Sequence, residues 1–138
     1  MRILGLDIGE RRIGLAISDP SGMLATPKGF IRRSRPETDI AKISEIAEQE
    51  GAQHIVAGMP LSLSGKMGPQ AKRVDAFVEA LRQQSSIPVD VWDERYSTVD
   101  AEHLLRQAGR KPSRERGRVD AAAAAIILQG YLDSKRNT

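Results

Sequence analysis

Cysteine is absent from the 138 residues, which excludes disulfides, thiolate metal sites and cysteine nucleophiles and is compatible with a reducing cytoplasm. Histidine is almost as scarce, since His54 and His103 alone are too few to build a histidine metal centre. Aromatic residues form only 4% of the chain, leaving Trp92 and Tyr96 too isolated to act as a stacking platform for single-stranded bases. No apolar run approaches the roughly 18 residues of a membrane span, and the opening MRILGLDIG lacks the apolar stretch of a signal peptide. These absences lead us to expect a soluble, cytoplasmic protein whose length suits one domain, residues 1–138.

What is present is charge, unevenly spread. The formal net charge is only +3. Yet Arg106, Arg110, Lys111, Arg114, Arg116 and Arg118 crowd one stretch in which Glu115 is the lone acid, and Arg11 with Arg12, Arg32 with Arg33 and Arg35, and Lys72 with Arg73 form further basic groups. A solvated loop explains such a run as readily as a phosphate-binding one. Its place just before Asp120 favours a polyanionic partner, because lysine and arginine neutralise phosphates and release counterions.

Three carboxylates stand out by context. Asp7 ends an apolar run, Glu94 ends another, and Asp120 opens an alanine-rich helix. An ionised acid inside an apolar run is costly unless paired or bound to metal, and clustered acids raise one another's pKa. Mg²⁺ or Mn²⁺, with their preference for hard oxygen ligands, would resolve that conflict, and two such ions can drive in-line cleavage of a phosphodiester. The plainer readings are a salt bridge from Asp7 to Arg11 or Arg12, and for Asp120 a favourable place in the first helical turn. Asp93 and Glu94 should point to opposite faces of a strand, so only one of them can join Asp7.

Hydrophobic patterning predicts strands over 2–8, 12–18 and 23–33, with Pro27 and Gly29 marking an edge or a bulge in the third. A helix follows over 36–50, stopped by Gly51, then a strand over 54–58, a loop over 59–68, and a helix from Pro69 with Val74, Phe77, Val78 and Leu81 facing inward. A strand over 87–93, a helix capped by Ser97 or Thr98 and running to Gly109, a basic loop over 110–117 and a helix over 119–132 complete the order. Three leading strands joined by tight turns should be antiparallel, whereas the next two arrive through helical crossovers and can lie parallel to the first. The expected fold class is α/β, a mixed five-stranded sheet flanked by helices, in the order of the ribonuclease H-like architecture.

Leu6-Asp7-Ile8-Gly9, Arg12-Ile13-Gly14 and Ser18-Asp19, then Gly58-Met59-Pro60 with Gly65 and Gly68, then Asp93-Glu94-Arg95, and finally Asp120-Ala121-Ala122 leading to Ile127-Leu128-Gln129 resemble the ordered signatures of the YqgF/RuvX family. The likeness runs from Leu4 to Leu132, with Tyr96 standing where an aliphatic residue is expected. It implies a ribonuclease H-like nuclease processing the 5′ end of precursor 16S ribosomal RNA, with Holliday-junction-resolvase-like ancestry. By motif position it makes Asp7, Glu94 and Asp120 the acidic triad; we expect this triad to be catalytic and to hold two Mg²⁺ or Mn²⁺ ions, with Asp7 shared by both.

The phosphate-gripping residues expected from charge and position are Arg11, Arg12, Lys66, Arg110, Lys111, Arg114, Arg116 and Arg118, with Lys66 on a loop that is either a flap or an ordinary surface turn. Structured RNA is the favoured partner and branched DNA the other, bound by a monomer or homodimer. A Holliday-junction resolvase is the second enzymatic reading. A non-catalytic nucleic-acid-binding module is the third, although a polyanion binder gains nothing from clustered acids.

Overall fold

A computed structural model describes residues 1–62, 64–94 and 113–136. Among the described residues eight elements follow in order: β1 (Arg2–Ile8), β2 (Arg12–Ser18), β3 (Ala25–Arg32), α1 (Pro36–Gln49), β4 (Ala52–Met59), α2 (Pro69–Gln84), β5 (Val89–Asp93) and α3 (Ser113–Arg136). The strands form one sheet in the order β3-β2-β1-β4-β5. β1 pairs antiparallel with β2 and parallel with β4, β2 pairs antiparallel with β3, and β5 joins β4 in parallel. Three antiparallel leading strands and two parallel late ones are therefore present as expected.

Alternation along the strands divides the molecule into two unlike layers. Leu4, Leu6 and Ile8 of β1, Ile13, Leu15 and Ile17 of β2, and Ile55, Ala57 and Met59 of β4 bury their side chains with Ile40, Ile43 and Ala47 of α1 and Val74, Phe77, Val78 and Leu81 of α2. This is the large-residue side. The other face carries small residues, Gly5, Gly14, Ala16 and Gly58, and α3 packs there through Ala124, Leu128, Tyr131 and Leu132. A Cβ on Gly5 would stand 2.8 Å from the Leu128 Cβ, so helix and sheet are in direct contact.

Two features of the first three strands repay the expectations from sequence. The β2–β3 register slips between Leu15↔Gly29 and Ala16↔Pro27, leaving Lys28 as the extra residue of a bulge, and Gly29 takes a φ of 101° that only glycine adopts readily. The Ser18-Asp19 signature is structural: Ser18 Oγ accepts from the Ile3 amide at 2.8 Å, and the Asp19 carboxylate accepts from the Met23 and Leu24 amides at 2.7 and 2.9 Å across the turn. Those amides and the Ser21 hydroxyl hold the Asp19 carboxyl well below the usual range, the Leu24 bond contributing most.

Boundaries shift elsewhere. β3 is shorter than expected, β4 is longer, and β5 begins two residues late. The substantive correction concerns α3, which starts at Ser113 rather than after a loop over 110–117. Gly117 looked like a loop residue, but it is buried inside the helix, where a Cβ would come within 2.2 Å of the Phe30 ring. Tertiary packing on β3 thus overrides a poor local helix former. The helix expected over 97–109 lies outside the described residues.

Candidate functional site: acids around two strand glycines

The α3 face of the sheet brings the acids together, and glycines determine how closely. Asp7 shares its face with Ile3 and Gly5, and its cross-strand partner on β2 is Gly14. A Cβ on Gly14 would lie 2.0 Å from the Asp120 carbonyl oxygen, so the α3 backbone crosses β2 at the level of Asp7. Asp120, Ala124 and Leu128 recur every four residues and form one stripe of α3 along the sheet. The stripe meets Gly14 at one end and Gly5 at the other, which fixes Asp120 at the carboxyl end of β1.

The other neighbour of β1 supplies the third acid. Leu6 is paired with Ala57, so Gly58 follows beside Asp7. A Cβ on Gly58 would stand 2.7 Å from Glu94 Oε1 and 2.6 Å from Ile127 Cδ1. Glu94, one residue beyond β5, therefore folds back over Gly58 towards Asp7. Asp93 pairs with Met59 and takes the opposite face, as the alternation predicts.

Electrostatics register this proximity. The Asp7 carboxyl is pushed up from its usual 3.8 to about 7, first by burial, then by the charges of Glu94 and Asp120. Burial and then the charge of Asp93 push Glu94 up from 4.5 to about 7. Arg12 does not pair with Asp7; its Nε donates to Asp120 Oδ2 at 2.6 Å, an ion pair with both side chains less than one-fifth exposed. Asp120 is the eighth residue of α3, not part of its first turn, so helix-dipole stabilisation does not account for it. Among the described residues, no three acidic or histidine side chains are grouped closely enough to hold a metal ion.

The basic residues separate by position. Arg11 and Arg118 are exposed, Arg116 is partly buried, and Arg114 belongs to the first turn of α3 rather than to a loop. Lys66 is exposed on a small turn closed by the Ser62 amide on the Lys66 carbonyl at 3.1 Å and the Lys66 amide on Ser62 Oγ at 3.2 Å. Arg110, Lys111, Arg95, Tyr96 and His103 lie outside the described residues.

Two groupings escaped sequence reading. Arg33 donates to the fully buried Asp39 at 3.4 Å and to the Gly9 carbonyl at 3.0 Å. Asp90 accepts from Tyr131 Oη at 3.1 Å and lies 2.9 Å from His54 Nε2, and Trp92 meets the Tyr131 ring edge-on. Burial, then the Asp90 bond, push the Tyr131 phenol up to about 12. Trp92 is therefore part of an aromatic cluster. The signal in sequence was slight: apart from the α3 stripe, only the strand alternation that sets Asp90 and Trp92 on one face.

A mixed sheet of three antiparallel and two parallel strands flanked by helices is the ribonuclease H-like fold of the RuvC-type resolvases. Thermus thermophilus RuvC shares the fold, with a TM-score of 0.58 at 13% identity over 100% of this chain and 98% of its own. A fowlpox virus resolvase crystallised with Holliday junction DNA superposes with a TM-score of 0.54 at 12% identity, over 98% of this chain and 99% of its own. Sequence comparison is more specific. Residues 1–134 match the family described as "RuvX: Holliday junction resolvase", and the chain belongs to that family. Its relatives include a protein of Desulforudis audaxviator, 45% identical over 99% of this chain and 97% of its own length, and one of Symbiobacterium thermophilum, 47% identical over 98% and 94%. Both bear the name "Putative pre-16S rRNA nuclease".

Proposed function

We propose that this protein is a divalent-metal-dependent nuclease that hydrolyses phosphodiester bonds of structured RNA, acting in 5′-end processing of precursor 16S ribosomal RNA. The observation that carries the reading is that the backbone of Asp120 reaches Gly14 and the carboxyl of Glu94 reaches Gly58, on either side of Asp7, with the carboxyls of Asp7 and Glu94 pushed up to about 7. A fold gains no stability from desolvating several acids together. The relatives' names and the resolvase-like fold support the same direction.

The donor set fits Mg²⁺ or Mn²⁺. Hard carboxylate oxygens are present, although among the described residues they are not grouped as three ligands of one ion, and Mg²⁺ is commonly held by one or two carboxylates with water and substrate phosphate making up the rest. Asp7, Glu94 and Asp120 are the residues that would hold two ions, with Asp7 central because its carboxyl feels both other acids. Such ions lower the pKa of an attacking water and stabilise the charge of the departing oxygen.

The protein's own groups position and balance charge. Asp7 and Glu94, with carboxyls pushed up to about 7, would give up to a bound cation the protons that they hold near neutral pH. Arg12 holds Asp120 against the sheet. Arg11, Arg114, Arg116 and Arg118, with Lys66 on the loop after β4 and Arg110 and Lys111 before α3, grip backbone phosphates and leave sequence unread, so selectivity comes from RNA shape.

Labelled precursor ribosomal RNA and a synthetic four-way DNA junction, each incubated with Mg²⁺, Mn²⁺ or chelator, test this directly. Metal-dependent cutting of the RNA supports the proposal; no cutting of either substrate under any metal ends it. The RuvC-like fold favours one second reading, a junction resolvase. That activity needs two active sites facing one junction, so a strictly monomeric protein counts against it.

A further inference from the structure

A recess lined by two arginines lies around the corner from the acids. It is a cleft of about 440 Å³ at the carboxyl end of β1, on the face away from α3, and its lining includes Ile8, Gly9, Glu10, Arg33, Ser34 and Arg73. We propose that this cleft is a phosphate subsite, which binds the backbone of the same polynucleotide a few nucleotides from the bond that is cut. The inference rests on the nuclease reading for the identity of the polymer.

Arg33 provides a fixed cation. Its Nε donates to Asp39 at 3.4 Å, its Nη1 donates to the Gly9 carbonyl at 3.0 Å, and its guanidinium sits 4.9 Å from the centre of the Phe77 ring. Those contacts use two of its five N–H donors and hold the plane in place before any ligand arrives. Asp39, fully buried behind it, compensates the charge without lining the cleft.

Arg73 provides a releasable cation. It pairs with Glu10 at 3.0 Å, and the two side chains are 59% and 74% exposed. An exposed pair of this kind is worth about 0–1 kcal/mol, so a phosphate can displace the Glu10 carboxylate from it at little cost. Once Glu10 swings out, two guanidinium groups line the recess. The start of α2, next to Gln70 and with no acid in its first turn, adds to the field, whereas α1, which begins at Pro36, carries Glu37 and Asp39 in its first turn and adds little.

Chain connectivity links the recess to the acids. Asp7 faces α3 and Ile8 faces the cleft, and three residue steps from Asp7 to Glu10 span at most about 10 Å. A strand lying over the Gly9 turn therefore reaches both sides of the sheet edge within a few nucleotides.

The test uses full-length protein carrying Asp7→Asn, so that RNA stays intact, and compares it with the same protein carrying in addition Arg73→Gln or Glu10→Gln. Fluorescence anisotropy reads the affinity for labelled precursor ribosomal RNA across a salt series, with circular dichroism melts checking that each variant folds. Arg73→Gln should weaken binding about three- to tenfold and lower the salt slope by about 0.7–0.9, the contribution of one phosphate. Glu10→Gln should tighten binding, since it removes the competitor. An unchanged slope with Arg73→Gln, or both substitutions shifting affinity in the same direction, overturns the subsite, as does an absence of salt-dependent RNA binding. Cleavage by protein with Asp7 intact is scored separately. Cutting that survives beside an insensitive Arg73→Gln removes the cleft alone, whereas binding that follows the expected pattern without any metal-dependent cutting removes the nuclease reading alone.

Discussion

Arg12 Nε and Asp120 Oδ2 lie 2.6 Å apart although 108 residues separate them in the chain. This pair ties β2 to α3 beside the acids and places one fixed positive charge among the carboxylates. Arg12→Gln should therefore act in two opposed ways. Loss of the cation should tighten Mg²⁺ binding a few-fold, as the local field becomes more negative. Loss of the tether should lower kcat about tenfold or more, because Asp120 is no longer held in place. Calorimetric metal titration beside cleavage kinetics separates the two; weaker metal binding would show that Arg12 matters through position alone.

Gly14 is the more demanding of the two glycines that frame Asp7. A Cβ there meets backbone, 2.0 Å from the Asp120 carbonyl oxygen, and neither β2 nor α3 can yield without unpacking the small-residue layer. Gly14→Ala should destabilise by at least about 3 kcal/mol, at the upper end for overpacking. At Gly58 the obstacles are the ends of flexible side chains, Glu94 and Ile127. Gly58→Ala should fold with a smaller penalty of about 1–2 kcal/mol and lose activity because Glu94 is pushed aside. Urea denaturation and cleavage assays on both variants check the contrast, and equal destabilisation would contradict it.

Much of this arrangement was legible in the sequence, for definite reasons. Period-two alternation in Ile13, Leu15 and Ile17 against Gly14 and Ala16 announced both faces of β2, and Pro27 with Gly29 announced the bulge. The acids stood out because Asp7 and Glu94 each ended an apolar run and Asp120 opened an alanine-rich helix. What alternation cannot encode is depth. That Gly14 admits a helix backbone, that Gly117 belongs inside a helix, and that Arg12 selects Asp120 over Asp7 all depend on contacts between residues remote in sequence. Such contacts have no local signature. The Arg33–Asp39 pair was hidden for a related reason, since nothing in the local pattern sets Asp39 apart as a buried acid.

Proton release should accompany metal binding. With the Asp7 and Glu94 carboxyls both pushed up to about 7, the metal-free protein near pH 7 carries about one proton between them. A bound cation displaces it. Titration of Mn²⁺ in buffers of different ionisation enthalpy should report roughly one proton released per protein at pH 7, falling towards zero by pH 9. Release that does not vary with pH would place the metal away from these acids.

Stability should follow the same acids with a definite sign. Asp7 titrates near 3.8 in the unfolded chain and near 7 in the folded one, so between those values the folded state binds the extra proton. Its contribution is fully present below about pH 4 and is lost as pH rises through about 7; Glu94 behaves alike from 4.5 upward. In metal-free buffer the Tm should therefore fall between pH 5 and pH 8, and Mg²⁺ should restore it most at the alkaline end. Asp7→Asn removes the desolvated charge and keeps the shape. It should flatten the decline and stabilise the metal-free protein at pH 8 by about 1–3 kcal/mol while abolishing cleavage, as expected where function has retained a strained group. Melting curves of the two proteins at both pH values decide the matter, and a variant less stable than its parent at pH 8 would mean that the Asp7 charge is satisfied within the fold and does not await a cation.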